Sequence, residues 1–249
     1  MMRIDERISN ILAGAVITDN RLQIRTKLDR QTYVQTNKVL EALGGKWSRS
    51  LQAHVFEGDP NEAVAAAIAS GEVVDWKREF QFFETPAGLA DRMVSQGLRG
   101  TSLLEPSAGH GAILEAVKRN PRSRDMALYA CELNPLCRAR LAERFPDVRL
   151  VGEDFLAYRN GSPDCVLMNP PFNGGRDIQH VRHAYEVLRP GGRLVAITSP
   201  GWTFRQDQTH RGFREWAQNL AARTEELPHG TFKTSGTMVR ATLLVIDKT

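Results

Sequence analysis

The chain is poor in cysteine. Its three, Cys131, Cys137 and Cys165, are odd in number and nowhere spaced Cys-x-x-Cys. This argues against a disulfide framework and a zinc centre, and points to reduced, mostly buried thiols. The six histidines form no ligand cluster. His180 and His183 lie on one expected helix with no acid or thiolate placed to join them, and read as a solvated helix face. No metal site is expected. No apolar run is long enough to span a bilayer, and the charged segment Met1 to Asn10 lacks the apolar stretch of a signal peptide. The expectation is a cytoplasmic protein with no membrane partner. There is no internal repeat and no low-complexity segment.

What is present suits a folded core. A length of 249 residues fits one large domain, or one domain plus a small extension. The chain is 41% hydrophobic and 25% charged, which is ordinary for a globular protein. The net charge of +4 permits a polyanionic partner without demanding one.

The chain divides near Asp75 to Gln81, giving a small N-terminal unit (1–78) and a larger one (79–249). In the first, Arg21 to Leu28 reads as a strand, Gln31 to Leu43 as a helix stopped by Gly44-Gly45, and Ala53 to Phe56 as a strand. Asn61 to Ser70 reads as a helix with Asp59 at the N-cap and Pro60 in the first turn. Between Arg21 and Arg49 there are seven Lys or Arg and two acids, with Trp47 among them. A basic stretch beside an aromatic suits nucleic-acid contact; it equally suits a small hydrophobic anchor with a solvated basic rim.

The second unit alternates strands and helices. Strands are expected at Ser102 to Glu105, Ala127 to Glu132, Val148 to Val151, Cys165 to Met168, Gly192 to Thr198, Thr224 to Leu227 and Ala241 to Ile246. Helices are expected at Ala112 to Arg119, Pro135 to Phe145, Asp177 to Leu188 and Thr209 to Ala222. Near-continuous apolar strands of this kind imply a doubly wound α/β fold, with a mostly parallel sheet covered on both faces. Ligands then bind beyond the carboxyl ends of the strands.

Four segments at those ends carry chemistry. Glu105-Pro106-Ser107-Ala108-Gly109-His110-Gly111 joins a strand to a helix; its glycines allow close backbone approach, and the helix N-terminus attracts an anion. Glu132, at the end of the next strand, is placed to grip a ribose diol, with Asn134 the better helix cap. In the loop beyond the third strand, Asp154 is a candidate acceptor for an adenine amine and Phe155 a candidate for its ring face. Asn169-Pro170-Pro171-Phe172 follows a buried strand with stiff backbone flanked by an amide and an aromatic.

From about Phe82 onward the sequence resembles class I S-adenosylmethionine-dependent methyltransferases, and most of all the amino-methyltransferase branch that modifies adenine N6 in DNA. Phe82-Phe83-Glu84-Thr85-Pro86 resembles that branch's cofactor-side motif. The resemblance implies a Rossmann-like sheet of seven strands with the last antiparallel, and S-adenosylmethionine as cofactor. By the same resemblance Glu105, Pro106, Ser107, Gly109 and Gly111 would surround its methionine part, and Glu132 would hold the ribose. Asp154 and Phe155 would hold the adenine, and Phe83, Thr85 and Pro86 would close over the cofactor. Asn169, Pro170, Pro171 and Phe172 would be catalytic, taking the target base beside the cofactor. His110 stands between the glycines, where the family varies.

The four-residue signature also occurs in enzymes that methylate guanine N2 in RNA and glutamine side chains in proteins; the latter favour Tyr where Phe172 stands. RNA is therefore the second expected partner after DNA. A non-catalytic nucleic-acid-binding module is the reading from another class. Little chain is available for sequence recognition beyond the first 80 residues and the loops at Asn173 to Asp177 and Trp202 to His210, so short or low specificity is expected.

Overall fold

A computed structural model describes residues 2–56, 59–73 and 83–249. The chain forms two compact units, Met1–Glu79 and Phe80–Thr249. The break expected at Asp75 to Gln81, like Phe82, lies outside the described residues.

In the first unit β1 (Met2–Arg3) is followed by α1 (Glu6–Ala13), which Asp5 caps by accepting the Ile8 N–H at 2.8 Å. Then come β2 (Val16–Thr18), β3 (Arg21–Gln23), α2 (Arg30–Ala42), β4 (Lys46–Ser48), β5 (Ala53–Val55), α3 (Asn61–Ser70) and β6 (Glu72–Val73). An antiparallel sheet runs in the order β2-β3-β5-β4, and β1 pairs with β6. Ile8, Leu12, Leu22, Val39, Leu40 and Phe56 form the core. The expected strand Arg21 to Leu28 stops at Gln23, because the chain must turn for Asp29 to cap α2 through the Thr32 N–H and hydroxyl. The α3 cap is shifted by one residue: Pro60 is the N-cap, while the Asp59 carboxylate accepts the Asn61 N–H from outside the helix.

In the second unit the chain runs α4 (Ala87–Gly97), β7 (Ser102–Glu105), α5 (Ala112–Arg119), β8 (Ala127–Cys131), α6 (Pro135–Arg144), β9 (Arg149–Gly152), β10 (Cys165–Met168), α7 (Arg176–Val187), β11 (Arg193–Thr198), α8 (Gly201–Phe204), α9 (Gln208–Asn219), β12 (Arg223–Glu226) and β13 (Thr242–Asp247). These strands make one seven-stranded sheet, β12-β13-β11-β10-β7-β8-β9, in which β13 pairs antiparallel with both neighbours and the other pairs are parallel. Strand alternation divides the core in two. Leu103, Leu167, Val195, Ile197 and Leu243 face one set of helices, with Met93, Ile113 and Val117. Leu104, Val166, Met168, Leu194 and Leu244 face the other, with Ile178, Val181 and Phe213. The order of connection reverses between β7 and β10, so the crevice at their carboxyl ends is the switch point where such sheets bind ligands. All three cysteines are buried. Among the described residues no helix is long and apolar enough to cross a membrane, and no group of acids, histidines and cysteines is placed to hold a metal ion.

Candidate active site

β7 ends at Glu105 and hands over to the glycine loop. Gly109 and Gly111 have φ of 53° and 86°. At Gly111 a Cβ would also drive into the Phe145 ring, so glycine is required twice over. Gly111 N-caps α5 without any side-chain bond, which leaves the helix's positive end to backbone N–H groups.

Two acids converge on this loop. Glu105 is 1% exposed, and its Oε2 has no hydrogen-bond partner. Burial pushes its carboxyl well above the usual range; the Leu114 N–H opposes that, and the nearby Glu132 charge adds to it. Glu132 is also buried, and burial raises its pKa against the Asn134 and Gly109 N–H groups. It accepts the Gly109 N–H at 2.6 Å and the Asn134 N–H at 2.8 Å. Glu132 thus ties the glycine loop to the turn before α6. Each of its oxygens keeps a second lone pair. Pro106 is buried and Ser107 half-buried within the same loop.

The third segment differs more. Asp154 is exposed and caps a single turn, Phe155–Ala157, through the Leu156 N–H. That turn points Phe155 inward. Its ring is 2% exposed and packs 4.7 Å from the His183 ring and 5.7 Å from that of His180. Phe155 is a core side chain here rather than an open stacking face. The two histidines are likewise buried, not solvated. Burial holds His180 down at about 4, and its Nδ1 has no partner.

At the end of β10 the Asn169 amide is fixed by two bonds. Its Nδ2 donates to the Phe83 carbonyl at 3.0 Å and to the Thr85 hydroxyl at 3.1 Å. A carbonyl only accepts, so the amide nitrogen must face it and Oδ1 must point elsewhere. Thr85 is 6% exposed. Pro86 is the N-cap of α4, and Thr85, Pro86, Ala87, Ala112 and Ser235 line one groove over the N-terminus of α5. Pro170 is buried, whereas Pro171 and Phe172 are half-buried. The structure therefore joins Phe83, Thr85 and Asn169 by hydrogen bonds, and Gly109 to Glu132 by another, with the Glu105 carboxyl close enough to feel the Glu132 charge at the ends of β7 and β8.

One buried acid at this end escaped the sequence reading. Asp177, in the first turn of α7, is 0% exposed, accepts the Ser199 N–H at 2.8 Å through Oδ2, and leaves Oδ1 without a partner. Burial raises its pKa. An acid opening a helix directly after Asn169 to Phe172 was the available signal.

The seven-stranded order with antiparallel β13 is the Rossmann-like fold of class I S-adenosylmethionine-dependent methyltransferases. The chain superposes on a type I restriction-modification methyltransferase subunit from Streptococcus thermophilus with a TM-score of 0.57 and 20% identity, covering 76% of this chain and 48% of that one. It superposes on a putative class I S-adenosylmethionine-dependent methyltransferase from Listeria monocytogenes with a TM-score of 0.52 and 16% identity, over 76% and 66%. A putative RNA methyltransferase from Pyrococcus horikoshii matches with a TM-score of 0.51 and 15% identity, over 68% and 87%. In sequence the chain is 32% identical over 97 residues to the modification methylase CviBIII of Paramecium bursaria Chlorella virus NC1A, a match spanning 36% of this chain and 25% of that protein. No family model matches the chain.

Proposed function

We propose that the chain transfers a methyl group from S-adenosylmethionine to the exocyclic N6 amine of adenine in DNA. The observation that carries this reading is the anchored Asn169 amide, with both N–H bonds taken and the oxygen turned away from them.

The loop residues fit the cofactor. Glu105 has a buried carboxyl oxygen without a partner beside the glycine loop, suited to a cationic amino group. Glu132 retains lone pairs for two hydroxyl donors. Pro106, Ser107, Gly109 and Gly111 would surround the methionine part, and Asp154 would accept from the adenine. Thr85 keeps its own hydroxyl proton to donate while accepting from Asn169, and Phe83 and Pro86 flank it. When bound, the cofactor supplies an electrophilic methyl on positively charged sulfur.

The chain's residues prepare the amine. An adenine amine is a poor nucleophile because its lone pair is delocalised into the ring. Asn169 Oδ1 and the Pro170 carbonyl each accept one N–H, which draws the nitrogen toward a tetrahedral shape and localises the pair. The Phe83 and Thr85 bonds hold the Asn169 acceptor, the diproline backbone holds the Pro170 carbonyl, and half-buried Phe172 offers a ring face to the base. Positioning and fixed dipoles supply the rate. In a duplex the base must first be flipped out, which costs a few kcal/mol.

The likeness to the CviBIII methylase supports DNA as substrate. RNA amines, at adenine N6 or guanine N2, are the second reading. The test is transfer of radiolabelled methyl to DNA, RNA and ribosomal protein, followed by digestion and chromatography. Label as N6-methyladenine in DNA supports the proposal. Label confined to RNA or protein, or none in the presence of bound cofactor, overturns it. We further propose short or low sequence specificity; mapping of methylated sites to one long motif refutes that.

A further inference from the structure

The two units handle their cations differently. In the larger unit many Lys and Arg side chains are neutralised, as in the pairs Arg92–Glu225, Lys118–Asp147, Arg119–Asp91, Arg193–Asp247 and Arg240–Glu226. In the smaller unit the seven Lys and Arg between Arg21 and Arg49 are all exposed, and among the described residues none pairs with a carboxylate. The acid nearest them in sequence, Asp29, is already engaged by Arg7 and by the Thr32 N–H and hydroxyl.

The sheet register sorts these cations. Arg21 on β3 and Lys46 on β4 both stand opposite Val55 of the intervening β5. Directly paired residues share a face, and strands lie about 4.8 Å apart, so the two cations rise from one face roughly 10 Å apart. Gln23, two residues along β3 on that same face, donates to the Leu51 carbonyl in the β4–β5 turn at 3.2 Å. That bond brings the turn carrying Arg49 to the end of β3, just ahead of Arg25. The opposite face is the apolar one: Leu22 is fully buried there, while Trp47 on the edge strand packs on His54 with ring centres 5.1 Å apart.

We propose that the polar face of this sheet, with Arg21, Lys46, Arg25 and Arg49, binds the phosphodiester backbone of the DNA substrate without reading its sequence. This rests on the reading of the chain as a DNA-modifying enzyme and assigns its smaller unit the task of holding the substrate. Unpaired, exposed cations on one face are the complement of a phosphate backbone, and such contacts position rather than specify.

The test is fluorescence anisotropy of a labelled 20-base-pair duplex with the full chain, titrated across salt concentrations. In the variant Arg21→Ala/Lys46→Ala/Arg49→Ala, the slope of log K against log salt should flatten by about 2.7, at roughly 0.9 for each lost phosphate contact. Affinity at low salt should fall at least tenfold. A control of equal charge loss, Arg92→Ala/Arg223→Ala/Arg240→Ala, should keep the wild-type slope. An unchanged slope in the first variant, or an equal change in the control, overturns the proposal. Binding is read without turnover, so it separates from the catalytic reading: a wild-type protein that binds DNA through these residues yet transfers no methyl group refutes only the latter. Cofactor affinity by calorimetry should match wild type in both variants, which shows that the larger unit remains folded.

Discussion

Replacing Asn169 by Asp changes almost nothing in size, yet it reverses the sense of hydrogen bonding where the amide is held. In the wild type Nδ2 donates to the Phe83 carbonyl at 3.0 Å and to Thr85 Oγ1 at 3.1 Å. A carboxylate has no proton to give the carbonyl, so that oxygen would face another oxygen inside a largely buried corner. Thr85 can recover by rotating its hydroxyl; Phe83 cannot. A lost bond of this kind, with its acceptor left unpaired, costs about 1–3 kcal/mol, and repulsion adds to it. The side chain will rotate to escape, which carries Oδ1 away from the target amine. Allowing ~2–4 kcal/mol at the transition state, the methyl-transfer rate should drop roughly thirty- to thousandfold. The assay is single-turnover transfer of labelled methyl to an adenine-containing oligonucleotide, with cofactor affinity measured by calorimetry. Transfer should collapse while cofactor affinity changes far less. A variant that transfers at the wild-type rate refutes the claim that amide orientation is what activates the acceptor, since the Asp side chain cannot reproduce it.

Phe172→Ala should weaken nucleic-acid binding by ~1–3 kcal/mol, the usual worth of base–aromatic stacking, and an unchanged KM for the oligonucleotide counts against a stacking role. Gly111→Ala must adopt a left-handed backbone and push into the Phe145 ring, so stability should fall by about 2–4 kcal/mol, read as the urea midpoint. A full-strength variant would mean that the glycine is not structurally required. Asp164 should matter most in acid. Although burial alone would raise its pKa, the N–H groups of Thr101 and Ser102, the Ser102 hydroxyl and the Arg189 charge lower it. Its contribution is therefore complete above the unfolded value of about 3.9 and fades as pH falls through the lower folded value. Asp164→Asn should cost ~1.5–3 kcal/mol at pH 7 and less below pH 3, and equal losses at both pH values would contradict this.

Much of the sheet was legible because chemistry-bearing residues punctuate apolar runs. β7 and β10 are Ser102–Glu105 and Cys165–Met168, as expected, each ending where a polar residue or proline closes the ladder. The failures have physical causes. α4 was not anticipated; its buried positions include Ala90 and Gly97, so helical periodicity is present but weak in side-chain bulk. β2 and β4 are three residues each, too short for alternation to show, and α1 was masked by its charges. Phe155, His180 and His183 were misjudged together. The buried arc of α7 takes in Asp177, Ile178, His180, Val181, His183 and Ala184, and no local pattern announces that two imidazoles will close over a phenyl ring. Within the site the residue types were legible, but the partners were not. The bond from Asn169 to Phe83 spans 86 residues, and the bonds that fix Glu132 depend on how the glycine loop folds back.

Three buried acids of the larger unit, Asp164, Glu105 and Asp177, behave oppositely at the two ends of its sheet, while Glu132 at the carboxyl end is bonded through both oxygens. Asp164 precedes β10 and is fully served: Oδ2 alone accepts the Thr101 N–H at 2.7 Å and the Ser102 N–H and hydroxyl at 2.8 and 2.9 Å, and Arg189 pairs with Oδ1. At the carboxyl ends the pattern inverts. Glu105 and Asp177 are more completely buried than Asp164, yet each leaves one oxygen without a partner, and both have raised rather than lowered pKa values. For these two acids the native state holds more protons than the unfolded chain just above the unfolded pKa, so their terms weaken the fold as pH rises through that window. A fold selected for stability alone would satisfy such groups or replace them with apolar ones. Unsatisfied acids at the carboxyl ends of the strands, one closing β7 and one bonded just past β11, opposed by a satisfied one at the far end, are what is expected when one edge of a sheet is built to hold itself and the other to hold something else.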